Sequence, residues 1–228
     1  MLRLLTTSVN YSDYLNYTLK YNIEIFDEIY IATTKEDSST HQVIKKYNTK
    51  YNNIRTISTD LFYSNKALLN KGAAINLLLQ SISKKGWVLI GDADCIYPLV
   101  LKTSVPDLDP NYLFGMYRHI VDTAKDLENE VGRMNNLQDN TEFFRDLKSQ
   151  HGFVHRLVLG YCQLFNFSSK FLQDKELTYP DGRSCRYVDT IFSRSNFNRK
   201  YKALLDTYCI HLGQTATNWY GRKSDTFI

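Results

Sequence analysis

From Leu2 to Ile90 the sequence alternates between two hydrophobic periods, and that alternation restricts the fold more than any other feature. Leu2–Val9 is apolar and then threonine-rich, as a strand is. Ser12-Asp13 opens a helix through about Ile25, with Leu15, Leu19 and Ile23 on one face. Glu28–Thr34 reads as a second strand, and Ser38-Ser39 precede a helix near Gln42–Tyr47. Ile54–Thr59 is a third strand ending at Asp60, and Lys71–Ser83 is a helix carrying Ala74, Leu77, Leu78 and Ile82. Trp87–Ile90 is a fourth strand, apolar throughout, as a strand covered on both faces must be. Strand, helix, strand in repetition predicts a mostly parallel sheet flanked by helices, an α/β fold of the nucleotide-binding type. Ligands of such sheets sit at the carboxyl ends of the strands. The residues there are Thr6, Thr7 and Ser8, Thr33 to Asp37, Asp60, and Asp92 to Asp94.

The second half is less regular. Tyr112–Val121 looks like a strand, Asp122–Ser149 a polar helical insertion, and Leu157–Phe167 a further strand region. Asp189–Arg194 looks like the start of a helix, and Ala203–His211 is apolar. With 228 residues, no internal repeat and no linker, a single domain is expected. Hydrophobic residues make up 43%, too many for a disordered chain. No apolar run approaches the roughly 20 residues of a membrane helix, and residues 1–5 turn polar at Thr6 without the apolar centre of a secretory signal. The expectation is a soluble, cytoplasmic protein with no membrane partner. Cys95, Cys162, Cys185 and Cys209 form no C-x-x-C pair, so a zinc ribbon is disfavoured and buried thiols are expected.

Between Arg183 and Lys223 eight basic residues face only Asp189 and Asp206, although the whole chain carries a net charge of only +4. A basic end of this kind suits an anionic ligand such as a phosphate, a nucleotide or a nucleic acid. A solvated face reads from the same residues.

Asp92-Ala93-Asp94 follows the apolar strand directly. In extended backbone an i, i+2 pair points both side chains the same way, and two converging carboxylates suit a hard cation shared with phosphate. The bare tripeptide is common; its place after a buried strand makes it informative.

Several segments in order then resemble the GT-A glycosyltransferases, in particular the family 2-like group and its small microbial and phage members. Asn70-Lys71-Gly72-Ala73-Ala74-Ile75-Asn76 is similar to the N-x-G-x-x-x-N helix entrance, and Asp92-Ala93-Asp94 to the D-x-D motif. Gly160–Phe165 is similar to the strand lining the acceptor side, and Tyr187–Phe192 to the segment with the catalytic carboxylate. His211-Leu212-Gly213 followed by Asn218–Arg222 is similar to the C-terminal metal and donor loop.

The resemblance implies a GT-A-like fold with a nucleotide-sugar-binding half over 1–95 and an acceptor-side half over 96–228, the insertion lying at about 122–149. It implies a transferase moving a sugar from a nucleotide-sugar donor, with a UDP-sugar as the expectation, to a hydroxyl acceptor, with Mn²⁺ or Mg²⁺ neutralising the diphosphate leaving group. By the same resemblance Asp94 binds the metal, Asp92 contacts ribose or a metal-bound water, His211 is a further ligand, and Asp189 is the base if the enzyme inverts. Thr6, Thr7, Asp60, Lys71, Arg222 and Lys223 fall on the donor side; Tyr161, Gln163 and Trp219 fall on the acceptor side. Each has a plainer reading. His211 reads also as a buried strand-end histidine, Asp189 as a helix cap, Asp60 as the end of a strand, and Thr6 and Thr7 as β-branched strand residues. Lys71 reads also as a surface lysine, and Arg222 and Lys223 as a frayed chain end. The group often doubles its acidic residue where this chain has Val188-Asp189, so the base and the stereochemistry stay open.

Two other classes compete. A nucleotidyltransferase shares the sheet but usually has a glycine-rich loop after the first strand, where this chain has Thr6–Tyr11 without glycine. A nucleic-acid-binding module would use the basic end and leave Asp92 and Asp94 unexplained. For the acceptor, DNA bearing a hydroxymethylated base, flipped out of the duplex, stands beside a polysaccharide or a protein hydroxyl.

Overall fold

A computed structural model describes residues 1–136, 141–151, 158–173, 175–182, 185, 187–213, 218, 221–222 and 226–227. The chain opens as the alternation requires: β1 (Leu2–Thr7), α1 (Ser12–Asn22), β2 (Glu28–Thr33), α2 (Ser38–Asn48), β3 (Ile54–Ser58), α3 (Lys71–Ser81) and β4 (Trp87–Gly91). These strands are parallel, in the order β3-β2-β1-β4. There follow β5 (Cys95–Ile96), α4 (Leu101–Ser104), β6 (Leu113–Val121), α5 (Leu127–Asn135), α6 (Thr141–His151), β7 (Cys162–Asn166), α7 (Val188–Asn196) and β8 (Lys202–Leu212). The described strands join one eight-stranded mixed sheet in the order β3-β2-β1-β4-β7-β6-β8-β5.

The sheet buries both faces, and β4 shows why its sequence is apolar throughout. Trp87 and Leu89 pack with Leu4, Leu15, Leu19 and Ile44 under α1 and α2. Val88 and Ile90 pack with Leu5, Ala74, Leu78, Phe165 and Phe192 under α3 and α7. A third cluster joins Leu127, Val131, Met134 and Leu147 of the insertion helices to Tyr117, Tyr208 and Ile210 of β6 and β8. The polar-looking insertion is thus amphipathic, with an apolar stripe covering the second half of the sheet.

The second half departs from the parallel rule. β7 runs antiparallel to both β4 and β6, while β8 is parallel to β6. Because β7 runs backwards, its first residue, Cys162, lies beside Gly91, and Gly160 and Tyr161 lie at the sheet end where Asp92 emerges. The two-residue β5 pairs with the end of β8, Cys95 opposite His211. All four cysteines carry free thiols, and Cys95, Cys162 and Cys209 are buried. Among the described residues no helix is long and apolar enough to cross a membrane.

Candidate active site

Residues 92–95 form a tight turn, with Cys95 N–H donating to Asp92 O at 3.2 Å. The expected extended geometry of the acidic pair is therefore replaced by a turn, and the two carboxylates diverge: Asp92 faces Lys71 and Asp94 faces His211. The turn is bolted down from three sides. Thr18 Oγ1 of α1 donates to Ala93 O at 2.8 Å. Asn22, at the end of α1, donates to Cys95 O at 2.8 Å and accepts from Tyr97 N–H at 3.0 Å. Leu212 N–H donates to Asp94 O at 2.8 Å. Thr18 and Asn22 are buried polar residues on a helix face that otherwise carries leucines, and that break in the pattern was the signal available in the sequence.

Asp94 is buried, with Oδ1 at 3.6 Å from His211 Nε2. Two donors each about 2.1 Å from one octahedral ion stand about 3 Å apart when adjacent and about 4.2 Å apart when opposite, so this separation admits a shared cation. The Nδ1 of His211 is also buried, with no hydrogen-bond partner among the described residues. Burial raises the Asp94 pKa, an effect opposed by His211 and reinforced by Asp92. A buried carboxylate next to a second one is a site short of positive charge. Cys95 Sγ completes a set of donor atoms within 4.8 Å of one another, but burial and its contact with Cys209 push that thiol well up. A protonated thiol is a poor ligand for a hard cation. The donor set that fits a divalent metal is Asp94 and His211, with Asp92 beside them.

Lys71 opens α3 and forms a close ion pair with Asp92. Burial pulls the Lys71 pKa down, but Asp92, with smaller help from Cys185 and Asp189, more than reverses this and raises it. Asp189 is therefore near enough to act on the same ammonium. It sits in the first turn of α7 and does not cap it: its Oδ2 accepts Gly160 N–H at 2.7 Å. Oδ1 has no hydrogen-bond partner among the described residues.

The N-x-G-x-x-x-N segment does more than open a helix. Asn70 caps α3 through Ala73 N–H at 3.1 Å and also donates to Asp181 at 2.5 Å. Asn76 pairs with both backbone groups of Tyr179, at 2.9 and 2.6 Å. A Cβ at Gly72 would lie 1.9 Å from Pro180 O, so the close approach of residues 179–181 requires glycine there.

Tyr11 was not anticipated. It follows β1, and its hydroxyl pKa is raised first by burial and then by Asp94 and Asp92, which places it beside the acidic turn. Arg222 lies over the rings of Tyr11 and Tyr14 at 5.2 and 4.8 Å. Its guanidinium is bidentate on Asp13, with Nη2–Oδ2 at 2.7 Å, and donates to Asn10 O at 2.8 Å. Thus Asp92, Asp94, His211, Lys71 and Asp189 share one neighbourhood, the two acidic-turn carboxylates facing different partners, with Tyr11 and Arg222 at the edge.

The remaining expected residues are distributed differently. Thr6 is buried, its Oγ1 without a hydrogen-bond partner among the described residues, and Thr7 ends β1 half-buried. Asp60 is exposed, three strands from β4 in the sheet order, a lateral distance of about 14 Å at ordinary strand spacing. Tyr161 is buried, donating to Met116 O at 2.8 Å under the Arg118 guanidinium. Gln163 is fully buried. Trp219 and Lys223 lie outside the described residues, as do Arg183 and Arg186. Arg199, Lys200 and Lys202 stand at the start of β8, at the end of the sheet opposite the acidic turn. Arg194 is close enough to Lys202 to lower its pKa further, after burial.

No protein-family model matches the sequence, and no curated protein does. Solved structures do. A mannosyltransferase from Pyrobaculum calidifontis, solved with GDP-Man and Mn²⁺, superposes with a TM-score of 0.58 at 14% identity, over 96% of this chain and 58% of that one. An inositol-1-phosphate CTP transferase from T. maritima superposes with a TM-score of 0.50 at 8% identity, over 94% of this chain and 90% of that one. The glycosyltransferase GlyE from Streptococcus pneumoniae TIGR4 gives 0.47 at 12% identity, over 90% and 46% of the two chains. At such identities the likeness is one of fold. The protein has the GT-A-type α/β fold of glycosyltransferases, and it spans a little over half the length of the mannosyltransferase.

Proposed function

We propose that the protein is a metal-dependent glycosyltransferase that moves a sugar from a nucleotide-sugar donor to a hydroxyl acceptor. The observation that carries this reading is the buried Asp94–His211 donor pair beside Asp92, at the carboxyl end of β4 in a GT-A-type sheet. A carboxylate–imidazole set favours Mn²⁺ over Mg²⁺, which prefers oxygen ligands and keeps its water. When bound, the cation supplies charge neutralisation to the diphosphate leaving group.

The chain's own residues do the rest. Asp94 and His211 hold the cation, and Asp92 contacts the ribose or a water on that cation. Lys71, already paired with Asp92 of the acidic turn, lies where a donor phosphate would compete with that carboxylate for its ammonium. If the reaction inverts, Asp189 presents Oδ1 to the acceptor hydroxyl and takes its proton as the acceptor oxygen bonds to the sugar carbon and the bond from that carbon to the diphosphate breaks. Thr6, Thr7 and Asp60, along the carboxyl ends of β1 and β3, offer the surface for the nucleoside. The acceptor is a hydroxyl on a larger molecule: a hydroxymethylated base in DNA, a polysaccharide or a protein.

The fold likeness to a CTP transferase makes nucleotidyl transfer the second reading. The glycine-free loop Thr6–Tyr11 counts against it, since Asn10 is held at φ 59 by Asp37 rather than left open for a triphosphate. One experiment separates the two. UDP-, GDP-, CMP- and dTDP-sugars are each tested with and without Mn²⁺ for thermal stabilisation, and then with the three acceptor classes for product release. A ligand at 100 times its Kd stabilises by about 2.7 kcal/mol. Metal-dependent stabilisation by one sugar nucleotide, with nucleoside diphosphate released on transfer, is expected. Release of pyrophosphate from a nucleoside triphosphate and a sugar phosphate would replace this reading with nucleotidyl transfer.

A further inference from the structure

Gln163 is fully buried in the middle of β7, an expensive place for an amide unless all of it is used. It is used. Its Nε2 donates to the backbone O of Asp189 at 2.9 Å. Its Oε1 accepts the hydroxyl of Tyr179 in a close hydrogen bond. The backbone carbonyl of Asp189, which can only accept, fixes which end of the amide faces α7, and the Tyr179 hydroxyl donates to the oxygen left at the other end. Tyr179 is buried and is anchored in turn, with both backbone groups paired to Asn76 of α3.

The first turn of α7 needs such an anchor. It begins from Tyr187 at φ 68, a left-handed conformation that costs a non-glycine residue energy, and no side chain caps it. Among the described residues no side-chain cap at the start of α7 fixes where Asp189 points. Two contacts from the β7 side do: Gly160 N–H on the carboxylate at 2.7 Å, and Gln163 on the main chain of the same residue. Gly160 also approaches so closely that a Cβ there would stand 2.8 Å from Asp189 Cβ.

We propose that Gln163 is a positioning residue for Asp189, with Tyr179 holding the far end of its amide, so that the acceptor-side carboxylate is registered against β7 and α3. The inference rests on the reading of Asp189 as the base. It gives Gln163 a role inside the wall of the acceptor side rather than on its surface.

The test is a kinetic cycle on the full chain with the donor identified above. Gln163→Met keeps length and removes the amide's hydrogen bonds, those to Asp189 and Tyr179 and a longer one from Nε2 to Val158 O at 3.5 Å; Tyr179→Phe removes only the hydroxyl. A small displacement of a reacting group costs about a hundredfold. Gln163→Met is expected to lower kcat for transfer by about ten- to a hundredfold, with the donor KM and the Mn²⁺-dependent thermal shift unchanged. Tyr179→Phe is expected to lower kcat less, again without moving KM. Added to Asp189→Asn, Gln163→Met is expected to cost nothing further, since the residue it positions is gone. Unchanged kcat in Gln163→Met, or in Tyr179→Phe should the first variant fail to fold, overturns the proposal. So does a loss that multiplies onto Asp189→Asn. Full transfer by Asp189→Asn alone overturns the base assignment, and this inference with it, while metal-dependent donor binding remains intact.

Discussion

Asp94 lies at the centre of the site, and its energetics follow from its surroundings. Burial raises its pKa, His211 partly offsets this, and Asp92 adds to it. The native state therefore binds this proton more tightly than the unfolded chain does. Stability falls as pH rises from the ordinary carboxylate value through the raised one, and above it the folded protein carries the full cost of the buried charge. A bound cation removes that cost. Asp94→Asn is accordingly expected to leave the metal-free melting temperature at pH 7 unchanged or higher and to abolish the increase that Mn²⁺ gives the parent. Thermal denaturation at pH 5 and pH 7, with and without Mn²⁺, reads both effects; a retained Mn²⁺ shift would remove Asp94 from the metal site. The carboxylates themselves were legible in the sequence. Their divergence was not, because the turn at 92–95 is imposed by Thr18, Asn22 and Leu212 from elsewhere in the chain.

At the scale of elements, α3 shows how a motif serves a neighbour. Asn70 at a helix start is recognisable as a cap from sequence. That Asn70, Gly72 and Asn76 together clasp residues 179–181 is visible only once that segment is seen to lie on the helix. Gly72→Ala places a methyl against Pro180 O and is expected to cost about 1–3 kcal/mol, as overpacking does, measured by denaturant unfolding. Because the displaced segment carries Tyr179, the same variant is expected to lower transfer more than donor binding. α7 makes the converse point: Asp189 read equally well as a cap or as a base, and it is Gly160, just before β7, that takes its carboxylate out of capping.

For the molecule as a whole, the basic end of the sequence divides in space. Arg222 is folded back onto Asp13 beside Tyr11. Arg199, Lys200 and Lys202 stand at the start of β8; Lys202 and His211 lie opposite Leu113 and Ile120 of β6, a span of about 23 Å at ordinary strand rise. Charges so far apart are screened over about 8 Å at physiological salt. Reversing both charges, Arg199→Glu with Lys200→Glu, is expected to leave kcat/KM for a small acceptor within about twofold at that ionic strength. A larger loss would place these residues at the acceptor after all. No described carboxylate pairs with any of the three, so their charge is available to solvent.

The sequence by itself determined the first half of this protein. A strict alternation of periods fixes β1 to β4, their parallel pairing and the carboxyl-end edge on which Asp92 and Asp94 stand, because each of those elements is specified by residues close in the chain. Tertiary structure decided the rest. β7 inserts backwards between β4 and β6, and the two residues of β5 pair with the end of β8. Antiparallel pairing of distant segments leaves no local period to read. That pairing alone sets Cys95 opposite His211 and Gly160 against Asp189, and so surrounds a common acidic tripeptide with partners from distant parts of the chain.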